Sequence, residues 1–209
     1  MKESKPCIYD PAFLPTNIYS GVPSFLNLSV LEKKEDLKKV DVAVLGVPWE
    51  GGCTIGGYSS CTEGPKSIRT ASIRYTGYLP DFDLDSLSVL KAGDYGDCAV
   101  QNGNYDFTFQ QIRERYGEIV DAGAVPILFG GDHGIAYPAI SELAKRHPKR
   151  VGVLHFDAHL DNYNAFGVLL STVCTMILTW MPPRLCILVS GDPEITNKNG
   201  KMPRSLVLP

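Results

Sequence analysis

Two short clusters of histidine and aspartate are the residues of this sequence that could do chemistry. Asp157, His159 and Asp161 are spaced two residues apart, and on extended chain that spacing points the three side chains the same way. Two carboxylates and an imidazole packed together repel or desolvate one another unless a cation holds them. His133 follows a neighbouring apolar run and could reach the same point. The pattern predicts a metal site, and nitrogen and oxygen donors without thiolate suit Mn, Fe, Ni or Zn.

Each cluster also admits a purely structural interpretation. A His–Asp pair near the end of a strand is commonly a satisfied polar contact, and Asp132 could simply cap a following helix. His155 lies two residues before Asp157 but inside an apolar run, where a core histidine is the simpler interpretation. A short motif of this kind favours metal binding but does not by itself exclude these alternatives.

The residues around the clusters predict alternating strands and helices. Strands are predicted at residues 42–48, 88–93, 125–129 and 151–157, and all but the second are apolar on both faces, as in a buried parallel sheet. Helices are predicted at residues 64–77, 109–123 and 135–146, and the second has one apolar face built from Phe109, Ile112, Tyr116, Ile119 and Val120. This alternation predicts an α/β fold with a mostly parallel sheet, whose functional groups gather beyond the carboxyl ends of the strands.

Composition and charge restrict the classes of function. The chain has 209 residues, of which 44% are hydrophobic and 21% charged, as expected of a globular protein. A net charge of −3 gives no electrostatic footprint for nucleic acid or for an anionic membrane. The six cysteines form no CxxC pair and predict free thiols in a reducing compartment. No apolar secretion signal is visible, so we expect a cytoplasmic protein, with an organelle address as the alternative.

Taken together, the motifs resemble those of the ureohydrolase (arginase/agmatinase) family. The resemblance is carried by Gly130-Gly131-Asp132-His133 followed by Asp157-Ala158-His159-Leu160-Asp161. Two upstream segments agree with it, Gly64-Pro65 with Arg69 and Gly93-Asp94 with Asp97. The resemblance covers approximately residues 38–167. It implies a three-layer α/β/α fold with a mostly parallel sheet, of which this chain carries an incomplete C-terminal part.

The same resemblance implies a metal-dependent hydrolase of small guanidino compounds, active in polyamine metabolism and releasing urea and an amine. It implies two Mn²⁺ ions per subunit, with Ni²⁺ or another divalent metal as the alternative. His133, Asp157 and Asp161 would bind one ion and His159 the other, with Asp157 bridging, while Asn162 and Asn164 would contact substrate. Metals assist such chemistry by lowering the pKa of bound water. A homo-oligomer is expected, with neither nucleic acid nor membrane as a partner.

The C-terminal part departs from the family pattern. The family's third motif, SxDxDxxDP, supplies two further metal-binding aspartates, and no segment of this sequence matches it. Residues 168–189 carry a single charge, Arg184, and Pro182-Pro183 interrupts the largely apolar stretch before it reaches the length of a membrane span. We predict an N-terminal arm (1–37), a partial ureohydrolase-like domain (38–167) and an atypical tail (168–209). A shifted reading frame would explain the tail, since it permits a Gly-Ile-Arg-Gly segment like the one the family has after DxHxD.

Three functions stay open from the sequence. The first is an amidinohydrolase, which would be inactive if its metal site is incomplete. The second is a catalytically dead family member that acts as a regulatory or oligomer-forming subunit. The third is another metallohydrolase, such as a deacetylase. Gly134 stands where the family usually has serine, and Leu160 and Asn162 also depart from its commonest residues. The substrate is therefore open among arginine, agmatine, guanidinobutyrate and other guanidino compounds.

Overall fold

A computed structural model describes residues 22–51, 60–148, 151–156 and 186–189. Within these ranges the strands are β1 (Val42–Val47), β2 (Tyr78–Leu79), β3 (Leu84–Asp85), β4 (Ala92–Asp97), β5 (Val125–Gly130), β6 (Val153–Phe156) and β7 (Cys186–Val189). The α-helices are α1 (Gly64–Ser72), α2 (Ser86–Val89), α3 (Tyr105–Asp121) and α4 (Ala136–Arg146). Short 3₁₀ turns lie at Phe25–Asn27, Lys34–Lys39, Cys61–Glu63, Pro80–Phe82 and His133–Ile135. The chain divides into two compact units, Met1–Ile135 and Ala136–Pro209.

The first unit is built on a three-stranded parallel sheet in the order β4-β1-β5. β1 is the central strand and is buried from Ala43 to Val47, as its continuous apolar sequence predicts. Its alternate side chains enter two separate cores: Leu45 packs in one cluster and Val44 in the other. Period-two alternation thus gives the sheet two buried faces, each of which needs a covering layer.

Helices cover both faces of this sheet. α3 supplies Ile112 and Ile119 to the cluster that contains Leu45. α1 lies on the opposite face, where Arg69 approaches Gly46 of β1. Helix, sheet and helix therefore form three layers, and the predicted α/β class with a parallel sheet is confirmed.

The sequence explains where α3 begins and ends. The side chain of Asn104 accepts a hydrogen bond from the backbone N–H of Phe107, at 3.1 Å, and caps the first turn. Gly123 has a φ of +85° just beyond the last turn, a conformation that glycine adopts without strain. The predicted apolar face is confirmed for Ile112, Tyr116 and Ile119, which are buried.

Part of the segment predicted as an N-terminal arm packs against the sheet. Leu31 donates its N–H to the carbonyl of Asp94, at 2.8 Å, and Val30 forms a parallel bridge beside β4. Within the charged run Glu32 to Lys39, Leu37 is fully buried. The division at residue 37 stays a prediction.

Three predicted boundaries are corrected by the structure. Residues 88–93 were predicted as a strand, but the strand lies at Ala92–Asp97 and is preceded by the short helix α2. The helix predicted over residues 64–77 ends at Ser72. The strand predicted over residues 151–157 is formed at Val153–Phe156, and Phe156 is 71% exposed rather than buried.

The second unit contains α4 and the pair β6 and β7, which run parallel to each other. β7 lies inside the tail that we predicted to be atypical. Arg146 pairs with Glu142 one turn earlier and stabilises the last turn of α4. None of the helices in the described ranges combines the length and hydropathy that crossing a membrane requires.

Candidate functional site

The carboxyl ends of the parallel strands bring three loops to one edge of the sheet. Trp49 and Gly51 follow β1, Asp97 ends β4, and Asp132 and His133 follow β5. In open parallel sheets this edge is where ligands bind, because the loops that leave the strands meet there. The predicted metal ligand His133 therefore lies at the edge where the fold places function.

Asp132 connects two of these loops. Its N–H donates to the carbonyl of Trp49, at 2.9 Å, and its Oδ2 accepts from the N–H of Gly51, at 2.7 Å. Its Oδ1 accepts from the N–H of Gly134, at 2.8 Å. The side chain is 4% exposed, so these bonds form away from bulk water. The simple capping role considered for Asp132 is thus only part of its function, since the same carboxylate also holds the loop after β1.

Two glycines permit the close approach of these loops. A Cβ at Gly131 would lie 2.3 Å from the carbonyl oxygen of Trp49 and 2.6 Å from that of Val47. A Cβ at Gly134 would lie 2.9 Å from the Trp49 ring and 3.0 Å from Oδ1 of Asp132. Gly134, noted as a departure from the family's usual serine, therefore has a packing reason in this chain.

Trp49 fills the space beneath the two loops. It is 1% exposed and makes edge-to-face contacts with Tyr105, at 5.1 Å between ring centroids, and Phe109, at 5.4 Å. Its indole Nε1 is buried and has no hydrogen-bond partner among the described residues. The Tyr105 hydroxyl donates to the carbonyl of Gly51. Burial raises the pKa of Tyr105, and the nearby charge of Asp132 adds to the shift.

Arg69 links α1 to the end of β4, a contact that the sequence motifs contain but did not reveal. Its Nε donates to Oδ2 of Asp94, at 2.7 Å, and its Nη2 to Oδ1, at 2.9 Å, which is the paired geometry that arginine forms with a carboxylate. Nη1 donates to Asp97, at 2.5 Å, and Nη2 also reaches the carbonyl of Gly96, at 3.0 Å.

This ion pair is buried on both sides. The side chains of Arg69 and Asp94 are 8% and 2% exposed, and Asp97 is 42% exposed. Burial by itself lowers the pKa of Arg69, but hydrogen bonds to Asp94 and then Asp97 outweigh it, and the pKa is raised. Arg69 therefore stays cationic, and its hydrogen bonds fix the end of β4. The sequence offered only the residue types, one arginine and two aspartates in the segments that resemble the family, and no sign that they meet.

The structure brings together only part of the predicted site. His133 is exposed and begins the 3₁₀ turn after β5. The other predicted site residues lie outside the described residues; they are Asp157, His159, Asp161, Asn162 and Asn164. β6 ends at Phe156, directly before Asp157 in the sequence. Among the residues that the structure does describe, no group of three or more His, Cys, Asp or Glu could hold a metal. The predicted ligand set stays a prediction.

A parallel sheet between helices makes this chain an α/β protein, and its Gly-Gly-Asp-His turn lies at the carboxyl end of one strand. The sequence profile of the arginase family matches residues 40–187. This chain belongs to the arginase family. It is 36% identical over 148 residues to the agmatinase of Chromobacterium violaceum, an alignment that covers 70% of this chain and 44% of that protein.

Solved structures share the fold. A crystal structure of a hypothetical agmatinase from Burkholderia thailandensis superposes with a TM-score of 0.71 at 28% identity, covering 82% of this chain and 54% of that one. The formiminoglutamase of Trypanosoma cruzi, solved with Mn²⁺, superposes with a TM-score of 0.58 at 25% identity and covers 70% of this chain and 48% of its own. The chain spans about half the length of the proteins it matches.

Proposed function

We propose that this chain acts in the hydrolysis of a guanidino C–N bond, with urea and an amine as products. The observation that carries the proposal is the turn at residues 131–134, which is hydrogen-bonded to a second loop and places His133 at the carboxyl edge of the sheet in a chain of the arginase family. Relatives of this chain are named for agmatine hydrolysis, which supports a small guanidino substrate.

The donor chemistry supports a divalent metal such as Mn²⁺. His133, Asp157, His159 and Asp161 offer imidazole and carboxylate groups, which suit borderline and hard cations. The buried thiol of Cys98, directly after β4, is a poor competing ligand, because burial raises its pKa to about 12 and keeps it protonated. When bound, the metal would supply Lewis acidity and a lowered pKa for water. The solved Mn²⁺ form of a family neighbour agrees with this choice of metal.

The chain's own residues have separate tasks in this proposal. The imidazole of His133 provides one donor, and Asp132 fixes the turn on which it stands. The amides of Asn162 and Asn164 would orient the polar groups of the substrate. The guanidinium group stays cationic at neutral pH, so carboxylates near the site would also favour its approach.

Metal content and urea release test the proposal together. The 209-residue chain is loaded with Mn²⁺, desalted, and assayed for bound metal and for urea from agmatine, guanidinobutyrate and arginine. His133→Ala is expected to reduce bound metal and to abolish urea release. His147→Ala is the matched control, because His147 is exposed just after α4 and, among the described residues, only its backbone N–H donates, to the carbonyl of Leu143.

The outcomes separate the functions left open by the sequence. Two metals per chain with urea release would support the hydrolase. Fewer than two metals and no urea, combined with binding to a full-length family member, would support a regulatory or oligomer-forming subunit. Release of acetate from an acetylated amine, without urea, would support a deacetylase.

A further inference from the structure

We infer that Asp132 is a positioning residue that joins the loop after β1 to the His133 turn and so sets the geometry of the His133 imidazole. The inference rests on the proposed function, in which His133 is a metal ligand. Asp132 itself needs no contact with metal or substrate for this role, because it acts through the backbone on either side of its neighbour.

The bonding pattern of Asp132 supports a positional role. One carboxylate oxygen accepts from Gly134, two residues ahead, and the other accepts from Gly51, 81 residues away. The backbone N–H of Asp132 donates to Trp49 on the same distant loop. Asp132 and Gly134, the residues on both sides of His133, are thus fixed, while the His133 side chain is exposed. The turn is held by its flanks, and the imidazole is presented outward.

A carboxylate is suited to this role because both of its oxygens accept hydrogen bonds. Asparagine has one acceptor oxygen and one donor NH₂ group. In Asp132→Asn, either Gly51 or Gly134 would face that NH₂ group, and rotation of the amide would only exchange which of the two loses its acceptor. The substitution is nearly isosteric, so it tests the hydrogen bonds and leaves the volume unchanged.

Tyr105 provides a variant that loosens the same loop without touching Asp132. Its hydroxyl donates to the carbonyl of Gly51, while Asp132 accepts from the N–H of Gly51. Tyr105→Phe removes the first bond and keeps both bonds of the carboxylate. If Asp132 acts on His133 through its own bonds to Gly134 and Trp49, Tyr105→Phe should change the Mn²⁺ affinity at His133 less than Asp132→Asn does.

The experiment follows the histidine signals of the full chain by NMR during titration with Mn²⁺. His133 is assigned by its loss in His133→Ala, and the Mn²⁺ concentration that broadens its imidazole signal by half measures the affinity at that residue. Amide exchange at Gly51 and Gly134 is measured in the absence of metal. Asp106→Asn is the matched control, because Asp106 is an exposed carboxylate in the first turn of α3.

We expect Asp132→Asn to raise the half-broadening concentration roughly tenfold, the lower end of the effect of losing a direct outer partner of a ligand, because Asp132 acts on His133 through the backbone. We also expect faster exchange at Gly51 or Gly134, with Asp106→Asn unchanged and Tyr105→Phe closer to wild type. If Asp132→Asn does not fold, Asp132→Ser replaces it, because the shorter hydroxyl still accepts from Gly134 but no longer reaches Gly51.

Three results would overturn the inference, and each has a different meaning. Faster amide exchange with unchanged Mn²⁺ affinity would make Asp132 a purely structural residue. Equal weakening by Tyr105→Phe would assign the effect to general loosening of the loop. Absence of His133 broadening in the wild-type chain would remove the proposed metal role of His133 itself, and the inference with it.

Discussion

Replacing Arg69 by methionine should destabilise the first unit strongly, because the change leaves a buried carboxylate without its cation. Asp94 is 2% exposed and would keep only the N–H groups of Phe25, at 2.9 Å, and Gly96, at 3.0 Å. Removing one partner of a buried ion pair costs about 3–5 kcal/mol. Domains of this size are stable by about 5–15 kcal/mol, so Arg69→Met would remove a large fraction of the total.

Urea denaturation followed by far-UV circular dichroism measures this loss. With a slope of about 2 kcal/mol per molar urea, the midpoint should fall by roughly 1.5–2.5 M. Lys66→Met in the same helix is the matched control, because Lys66 is exposed and pairs weakly with Glu63, at 3.5 Å. That control should change stability by less than about 0.5 kcal/mol.

A second substitution distinguishes the orphaned charge from the lost packing. Adding Asp94→Asn to Arg69→Met neutralises the buried carboxylate, so the double variant should be more stable than Arg69→Met alone. Such recovery is the non-additivity expected of two residues in direct contact. A midpoint for Arg69→Met within about 0.5 M of the Lys66→Met value, or a further loss in the double variant, would refute the assignment of this pair as a stabilising buried unit.

Three further predictions concern the same unit. Burial raises the pKa of Cys98 from 9.0 to about 12, so the folded state favours the neutral thiol. The contribution of this thiol to stability should be complete below pH 9 and should be lost as the pH rises from 9 to 12, by at most about 1.4 kcal/mol per pH unit. Cys98→Ala should therefore reduce the fall of stability over this range in urea titrations at several pH values. Gly131→Ala should lower the free energy of unfolding by about 1–3 kcal/mol, because the added Cβ would lie 2.3 Å from the carbonyl oxygen of Trp49. Thermal unfolding measures this loss, and an unchanged melting temperature would contradict the close approach of the two backbone segments. Val125 and Ile127 are 60% and 41% exposed on β5, which in the described ranges pairs only with β1. Replacing both residues by threonine should therefore lower concentration-dependent light scattering, because exposed apolar residues on an unpaired strand promote association. Undiminished scattering would show that this strand does not drive association.

The sequence predicted those elements whose pattern is local. β1 and β5 were recognisable because a continuous apolar run fits a strand buried on both faces, and α3 because its apolar side chains repeat at helical spacing. The strand predicted at 88–93 was displaced because the apolar residues Leu87, Val89 and Leu90 are too few to distinguish a strand period from a helix period. Asp85 decides the outcome by capping α2 through the N–H of Leu87, at 3.0 Å.

The site shows the same division between local and distant information. The spacing of the motif residues indicated His133 and its neighbours, since they follow one another in the chain. No spacing could indicate that Asp132 meets Gly51, or that Arg69 meets Asp94, because those contacts depend on the order of strands β4-β1-β5 and on which face of the sheet α1 covers. Topology, and not periodicity, brings these residues together.

The Gly-Gly-Asp-His segment identifies the family more sharply than it identifies a substrate, and the structure gives the reason. Gly131 and Gly134 let two loops approach, and Asp132 ties them together, so most of the motif is needed to present one imidazole. Only the His133 side chain points out of this arrangement as an exposed group. Because the turn presents one imidazole and no other exposed side chain, we expect the choice of substrate to depend on residues outside it.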